Sequence, residues 1–169
     1  MVVLGYTVGS NMFYNLAISD PRPKVGVPPG SWNQPADVGT MRGLMSGWCQ
    51  EVQALASLVE EDECASWTLG KVPKLLSYAS ASGRVVLIGD AAHALLPHAG
   101  QGAGMAMEDA ASLAEFVGHS TSKDNISKIM SSWSQFRQKR VEHLREISHG
   151  NTSDMTFPDA PDQIARDDK

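Results

Sequence analysis

Two short segments rich in β-branched and aromatic residues open the chain, at residues 2–8 and 12–18. They flank the polar stretch Gly9-Ser10-Asn11, and this pattern predicts a β-hairpin that needs a larger sheet to join. Residues 20–37 contain five prolines, which predicts an extended loop because proline interrupts helices.

Asp37 is a predicted helix N-cap, and the apolar side chains that follow it recur at helical spacing. This pattern predicts one helix or two, with apolar positions at Met41, Leu44, Met45, Trp48, Val52, Leu55, Leu58 and Val59. The acidic run at residues 60–63 predicts a solvent-exposed turn. Residues 67–69 predict a short strand that Pro73 prevents from extending.

Residues 85–88, Val-Val-Leu-Ile, form a continuous apolar run that is typical of a strand buried on both faces. An Ala-rich helix is predicted over residues 105–117, with core candidates Met105, Leu113, Ala114, Phe116 and Val117. A longer amphipathic helix is predicted from residue 125 to about residue 149, with apolar positions Ile126, Ile129, Met130, Trp133, Phe136, Val141, Leu144 and Ile147. The tail that follows is expected to be poorly ordered at its end.

Composition narrows the classes of protein that this chain can represent. The 169 residues suit one ordinary domain, and 14 Lys and Arg against 19 Asp and Glu argue against a nucleic-acid partner. Two cysteines do not make a disulfide framework, so we expect a reducing, cytoplasmic compartment. The first 19 residues are uncharged but interrupted by Gly and Asn, so we expect neither a signal peptide nor a membrane span.

Residues 84–110 carry most of the candidate chemistry. Gly89-Asp90 places a carboxylate at the end of the predicted strand, where open α/β sheets bind ligands. About ten residues later, Gly100-Gln101-Gly102-Ala103-Gly104 opens a helix, whose free N–H groups favour an anionic or electron-rich group. The G-x-G-x-G spacing differs from the dinucleotide fingerprint. Each feature taken separately also has a purely structural interpretation. Asp90 could cap a helix, and the glycines could permit tight packing.

The order of these motifs, including Pro97 and Glu108-Asp109-Ala110, closely resembles the second flavin-binding motif of the single-component FAD-dependent aromatic hydroxylases. Salicylate hydroxylase and para-hydroxybenzoate hydroxylase belong to that family. The resemblance implies that Asp90 binds the ribityl chain of FAD and that the glycine-rich turn faces the pyrimidine edge of its ring. The implied cofactor-binding residues are Gly89, Asp90, Pro97, Gly100, Gln101, Gly102, Ala103 and Gly104. No catalytic acid or base is assigned.

The same resemblance implies a mixed α/β fold that corresponds to the C-terminal part of a para-hydroxybenzoate hydroxylase-like FAD-binding fold. Residues 1–78 would be a remnant of the substrate-binding sheet domain, residues 79–150 the later portion of the FAD-binding domain with its closing helix, and residues 151–169 a tail. The dinucleotide-binding βαβ unit with its G-x-G-x-x-G is absent from the sequence, so we expect a truncated chain. Weaker similarity lies at Ser31-Trp32, Gly47-Trp48, Lys71, Trp133 to Arg140 and Phe157 to Asp159.

Members of that family use NADPH or NADH and oxygen to hydroxylate an aromatic or other electron-rich small molecule. The backbone N–H groups of Gly102 to Gly104 are expected to stabilise negative charge on the reduced flavin. His93 and His98 make a poor zinc pair, and His93 is expected to pack beneath the loop, whereas His98 could face the flavin or the substrate. Two alternatives stay open: a non-catalytic remnant that binds an N-terminal partner chain or itself, and a non-redox enzyme on the same scaffold.

Overall fold

Three consecutive residues with positive φ, Gly9, Ser10 and Asn11, form the turn of a β-hairpin. The hairpin joins β1 (Val2–Val8) to β2 (Phe13–Ser19), which pair antiparallel from Val2 opposite Ser19 to Val8 opposite Phe13. The predicted hairpin is therefore confirmed. The computed structural model describes residues 1–20, 33–119, 123–155, 161 and 164–165.

The described residues fall into two units, one within Met1–Leu69 and the other within Gly70–Lys169. The first unit continues with β3 (Asn33–Pro35), α1 (Val38–Leu44), α2 (Gln50–Ser57) and β4 (Ala65–Trp67), and β3 pairs antiparallel with β4. The core of this unit consists of Val38, Met41, Met45 and Ala56, against which Leu16 and Ile18 of the hairpin pack. The assignment of residues 1–78 to a substrate domain and of residues 79–150 to a flavin domain stays a prediction.

Local signals explain both helices of the first unit. The Asp37 carboxylate accepts a hydrogen bond from the Thr40 N–H, which is the predicted N-cap. Arg42 donates to the carbonyls of Ala56, Ser57 and Val59, so it satisfies the carbonyl groups at the end of α2. The segment with apolar periodicity therefore folds into two short helices, and Arg42 of α1 links them at the end of α2.

Two predictions for this unit need correction. The short strand lies at Ala65–Trp67, two residues before the predicted position, because Ser66 pairs with Gln34 of β3. The loop predicted over residues 20–37 contains β3 at its end, whereas residues 21–32, including Ser31-Trp32, lie outside the described residues.

The second unit contains α3 (Asp90–His93), α4 (Gly102–Gly118) and α5 (Ile126–Met155). Its core consists of Tyr78, Ala92, Met105, Trp133, Val141 and Leu144, so both long predicted helices are confirmed. Ser134 of α5 accepts a hydrogen bond from the Tyr78 N–H, and the Trp133 indole donates to Ser112 of α4. These polar contacts hold the segment around residue 78 and α4 against α5 at two consecutive positions of that helix.

The strand predicted at residues 85–88 is wrong. In the described part of the chain, this segment forms only one isolated bridge, between Val86 and Ala79, and Val85 is 63% exposed. A buried strand needs neighbours on both sides, and among the described residues this segment bonds on one side alone, where Val85 accepts from the Ser80 N–H and Leu87 donates to the Tyr78 carbonyl. The prediction that the apolar positions of the two helices lie in the core is also wrong for four residues that are exposed: Ala114, Val117, Phe136 and Ile147.

The prediction for the end of the tail lies outside the described residues, as do Phe157 to Asp159, while residues 151–155 continue α5. Within the described ranges, no helix combines the length and apolar character needed to cross a bilayer.

Candidate functional site

The turn at Gly89 places Asp90 at the surface of the second unit. Gly89 has φ 57° and ψ −141°, a conformation that is essentially restricted to glycine. Its carbonyl accepts hydrogen bonds from the Ala92 and His93 N–H groups, which begins α3. The Asp90 side chain is exposed, and its carboxylate makes no hydrogen bond or ion pair with any residue that the structure describes. Asp90 is therefore available to accept hydrogen bonds from a ligand.

The segment between Asp90 and α4 is fixed at several backbone positions. Pro97 to Ala99 form one turn of 3-10 helix, and Gly100 adopts the left-handed conformation, with its N–H bonded to the Pro97 carbonyl at 2.8 Å. Two side chains of α5 hold this loop: Ser148 donates to the Leu96 carbonyl at 3.1 Å and Asn151 to the His98 carbonyl at 3.0 Å. These two hydrogen bonds therefore fix the loop between α3 and α4 to α5.

The start of α4 presents free hydrogen-bond donors. The first helical bond joins the Met105 N–H to the Gln101 carbonyl at 2.9 Å, so the N–H groups of Gly102, Ala103 and Gly104 have no partner among the described residues. A methyl group at Gly100 or Gly102 would meet no described atom within 4 Å. This is an open surface with three donors at the positive end of a 17-residue helix, which suits an electron-rich acceptor.

The Gly89 turn and the start of α4 lie against each other. A methyl group at Gly89 would lie 3.4 Å from the Ala106 side chain, in the first turns of α4. The two halves of the predicted motif, residues 89–90 and 97–104, are therefore brought together within one unit.

A buried polar centre lies directly behind this surface. The Asp109 carboxylate accepts hydrogen bonds from the Gly89 N–H and from His93 Nε2, each at 2.7 Å, through Oδ2. Its other oxygen, Oδ1, accepts from Arg137 Nε of α5 at 2.6 Å. Asp109, Arg137 and His93 are 1%, 2% and 3% exposed, so all three are withdrawn from solvent. The prediction that His93 packs beneath the loop is confirmed, and the described residues contain no metal-binding cluster.

Glu108 extends this centre toward solvent. Its carboxylate pairs with Arg137 Nη1 and with Arg140 Nη2, both at 2.9 Å. The hydrogen bond from Arg140 is the main cause that lowers the pKa of Glu108 to about 2, and Arg137 acts in the same direction. Arg137 also donates to the Met105 carbonyl at 3.3 Å, so the two arginines bind α5 to the first turns of α4.

Sequence reasoning assigned no role to Asp109 or Arg137. A signal for both was present, because each charged residue lies within the apolar stripe of its helix. Asp109 lies four residues after Met105 and four before Leu113, and Arg137 lies midway between Trp133 and Val141. Charged residues at buried helical positions are almost always paired, which would have suggested this contact.

Comparison with known proteins gives consistent matches. Residues 42–148 match the FAD binding domain family. The FAD-dependent monooxygenase OpS4 of Beauveria bassiana (strain ARSEF 2860) is 29% identical over 98% of this chain and 38% of its own length. The 6-hydroxynicotinate 3-monooxygenase of Bordetella bronchiseptica is 33% identical over 75% of this chain and 33% of its own length, and a salicylate hydroxylase of Pseudomonas putida is 34% identical over 69% and 26%.

Solved structures agree with these relatives. CtdE in complex with FAD and substrate 4 has a TM-score of 0.69 and 26% identity, and the match covers 86% of this chain and 34% of CtdE. Klebsiella pneumoniae HpxO complexed with FAD and uric acid has a TM-score of 0.63 and 25% identity, and the match covers 83% of this chain and 35% of HpxO. The chain thus spans about a third of the length of the proteins that it matches.

Proposed function

Because the chain belongs to the FAD binding domain family of FAD-dependent aromatic hydroxylases, we propose that it carries the ring-binding and ribityl-binding part of a flavoprotein monooxygenase. That membership confirms the resemblance drawn from residues 84–110, and the mixed α/β architecture agrees with its FAD-binding structural neighbours. The proposed reaction is hydroxylation of an aromatic or other electron-rich small molecule, with NADPH or NADH as co-substrate, and the proposed location is the cytoplasm.

One observation carries this proposal: the exposed Asp90 carboxylate and three N–H groups at the start of α4, all without a partner among the described residues, lie in one unit in which the Gly89 turn approaches Ala106 of α4. The two sets of groups are chemically complementary to different parts of FAD. A carboxylate accepts hydrogen bonds from ribityl hydroxyls, whereas N–H groups donate to the oxygen and nitrogen acceptors of the pyrimidine edge. The residues present therefore fit the cofactor.

When bound, FAD would supply the redox chemistry: it would pass electrons from the nicotinamide co-substrate to O2, so that one oxygen atom enters the substrate and the other leaves as water. The residues of this chain would bind FAD and orient its ring. Asp90 accepts hydrogen bonds, and Gly100 and Gly102 leave the backbone open to close approach. The N–H groups of Gly102 to Gly104 and the α4 dipole favour negative charge on the ring edge, an effect of about 3 kcal/mol for one comparable donor.

The sequence contains no G-x-G-x-x-G for the adenosine half of FAD. In this proposal, residues other than those of this sequence hold that half.

Titration of FAD with the purified chain tests the proposal, with quenching of flavin fluorescence as the readout. We expect Asp90→Ala to weaken binding about tenfold or more, because a hydrogen bond to a charged group contributes roughly 1.5–3 kcal/mol. Asp62→Ala removes another exposed carboxylate, in the acidic run of the first unit, and should leave the affinity unchanged. A folded wild-type chain that leaves FAD fluorescence unaltered would contradict the proposal.

A second candidate function, association with a partner chain or with a second copy, is favoured by the hairpin. Tyr6, Phe13 and Tyr14 are exposed on it, and no described strand pairs with the outer edge of β1 or β2. Unpaired edges with exposed aromatic side chains are templates for strand addition. Light scattering of the wild type and of a Tyr6→Lys variant tests this candidate, since a charge on the edge strand should reduce the associated mass.

A further inference from the structure

We infer that Asp109 is a positioning residue: its buried carboxylate fixes the Gly89 turn and so aims Asp90 at the ribityl chain of the flavin. This inference rests on the proposed function. Asp109 itself is 1% exposed and accepts a hydrogen bond from the Gly89 N–H, so it acts through the Gly89 backbone.

Both oxygens of the Asp109 carboxylate have hydrogen-bond partners. The Gly89 N–H and His93 Nε2 share Oδ2, while Arg137 Nε binds Oδ1. An ionised carboxylate only accepts hydrogen bonds, so this pattern assigns the hydrogen to Nε2 of His93. Since α3 begins at Asp90 and includes His93, the carboxylate holds the turn at its first residue and again four residues later.

Burial of an ion pair alone does not explain this centre, because apolar residues of similar volume often stabilise a helix contact equally well. An apolar side chain at position 109 would leave the Gly89 N–H without its acceptor in a buried position. Glycine reaches this conformation without strain but also reaches many others, so the Gly89 backbone does not fix the turn by itself. The specific contribution of the carboxylate is therefore the geometry of the turn that carries Asp90.

Arg137 fixes the carboxylate in turn. Its guanidinium binds Asp109 Oδ1, Glu108 Oε2 and the Met105 carbonyl, and these three partners all belong to α4. Asp109 lies seven residues, about 10 Å, along α4 from Gly102. One helix thus carries both the ring-facing N–H groups at its start and the residue that positions the ribityl-binding turn.

The first test measures the turn itself, without any cofactor. Amide hydrogen exchange of Gly89 is followed by nitrogen-edited NMR in the full chain. We expect Asp109→Asn to accelerate exchange at Gly89 by about tenfold or more relative to core amides of α5 such as that of Leu144, because the amide side chain cannot satisfy the same set of donors. Asp109→Glu, which keeps the charge but moves the oxygens, should have the same effect and serves if Asp109→Asn does not fold.

Two control variants separate positioning from general destabilisation. Val141→Ala opens a cavity in the same core, and Glu108→Gln removes the neighbouring carboxylate that also binds Arg137. Both should lower stability, yet exchange at Gly89 relative to Leu144 should stay within about threefold of the wild type. Unchanged exchange at Gly89 in the folded Asp109 variant would overturn the inference.

The second test is FAD titration of the same variants. We expect Asp109→Asn to weaken binding about tenfold, whereas His93→Gln, whose amide can replace Nε2 as a donor, should stay within about threefold of the wild type. If the wild type and Asp109→Asn bind FAD with equal affinity although the turn of the variant is loosened, the inference that Asp109 positions Asp90 toward the flavin is overturned. If the wild type does not bind FAD while the turn still depends on Asp109, the proposed function fails for this chain and the control of the turn by Asp109 stands.

Discussion

Arg137 and Asp109 occupy equivalent places in α5 and α4, and they meet through a 2.6 Å contact between Arg137 Nε and Asp109 Oδ1. Each lies four residues after a buried apolar side chain, Trp133 or Met105, so each projects from the apolar face of its helix. The helix contact therefore contains a buried ion pair where periodicity predicts two more apolar residues.

Breaking this pair from one side should be costly. Arg137→Met leaves the Asp109 carboxylate buried without its cation, and we expect the free energy of unfolding to fall by about 3–5 kcal/mol. Arg140→Met removes the partly exposed partner of Glu108 and should cost less than Arg137→Met, because solvent screens the Arg140 pair. Urea denaturation followed by circular dichroism measures both.

A double variant provides the internal check on this interpretation. Adding Asp109→Asn to Arg137→Met neutralises the uncompensated charge, so the double variant should recover about 1 kcal/mol or more of the loss caused by Arg137→Met alone. Strictly additive losses would show that the two side chains are energetically independent despite their contact.

Acid stability should depend on Glu108. Its pKa is lowered from 4.5 to about 2 in the folded protein, first by the hydrogen bond from Arg140. A depressed folded-state pKa adds stability above the unfolded-state value, and this contribution is lost as pH falls from about 4.5 through about 2.

The matched variant for this pH dependence is Glu108→Gln. At pH 6 the wild type should be more stable than the variant, and the difference should shrink progressively between pH 4.5 and pH 2. Urea midpoints at pH 6, 4, 3 and 2 measure the difference. A gap between the two proteins that stays constant over this range would contradict the assignment of that pKa to the arginine pairs.

Gly89 should tolerate no side chain. Because its φ and ψ lie in a region restricted to glycine, Gly89→Ala should destabilise the second unit by about 1–3 kcal/mol. Gly150→Ala is the matched control, since Gly150 lies in α5, where a methyl group meets no described atom within 4 Å. That substitution should raise the helix stability by up to about 1 kcal/mol. Thermal unfolding of the two variants should shift in opposite directions.

Much of the fold was predictable because its signals are local. The hairpin follows from Gly9 to Asn11 between two β-forming segments, and α1 begins at the Asp37 N-cap. The long helices follow from apolar periodicity, although that pattern gave no reason to place Phe136 at the surface, where it contacts Phe116. Periodicity identifies a face, but the packing partner decides how wide the buried stripe is.

The candidate site was predictable only in part. Asp90 and the glycine-rich turn were singled out from one motif, yet that motif gave no information about what holds them in place. The contact between Gly89 and Asp109 joins residues 20 apart, and that between Asp109 and Arg137 joins residues 28 apart, so both depend on tertiary packing. The apolar run at residues 85–88 misled for the same reason, because a strand exists only with a neighbour to bond.

Substitution of Val by Thr at two positions tests whether the apolar residues 85–88 are exposed, as the structure shows. The exchange keeps the shape of the side chain and adds a hydroxyl, so its cost reports burial. Val85 is exposed and Val141 is 1% exposed. We expect Val85→Thr to change the free energy of unfolding by less than about 0.5 kcal/mol and Val141→Thr to lower it by about 1–3 kcal/mol. Chemical denaturation of the two variants in parallel decides the matter: equal losses at both positions would mean that residues 85–88 are buried in this chain, as the sequence pattern alone predicts.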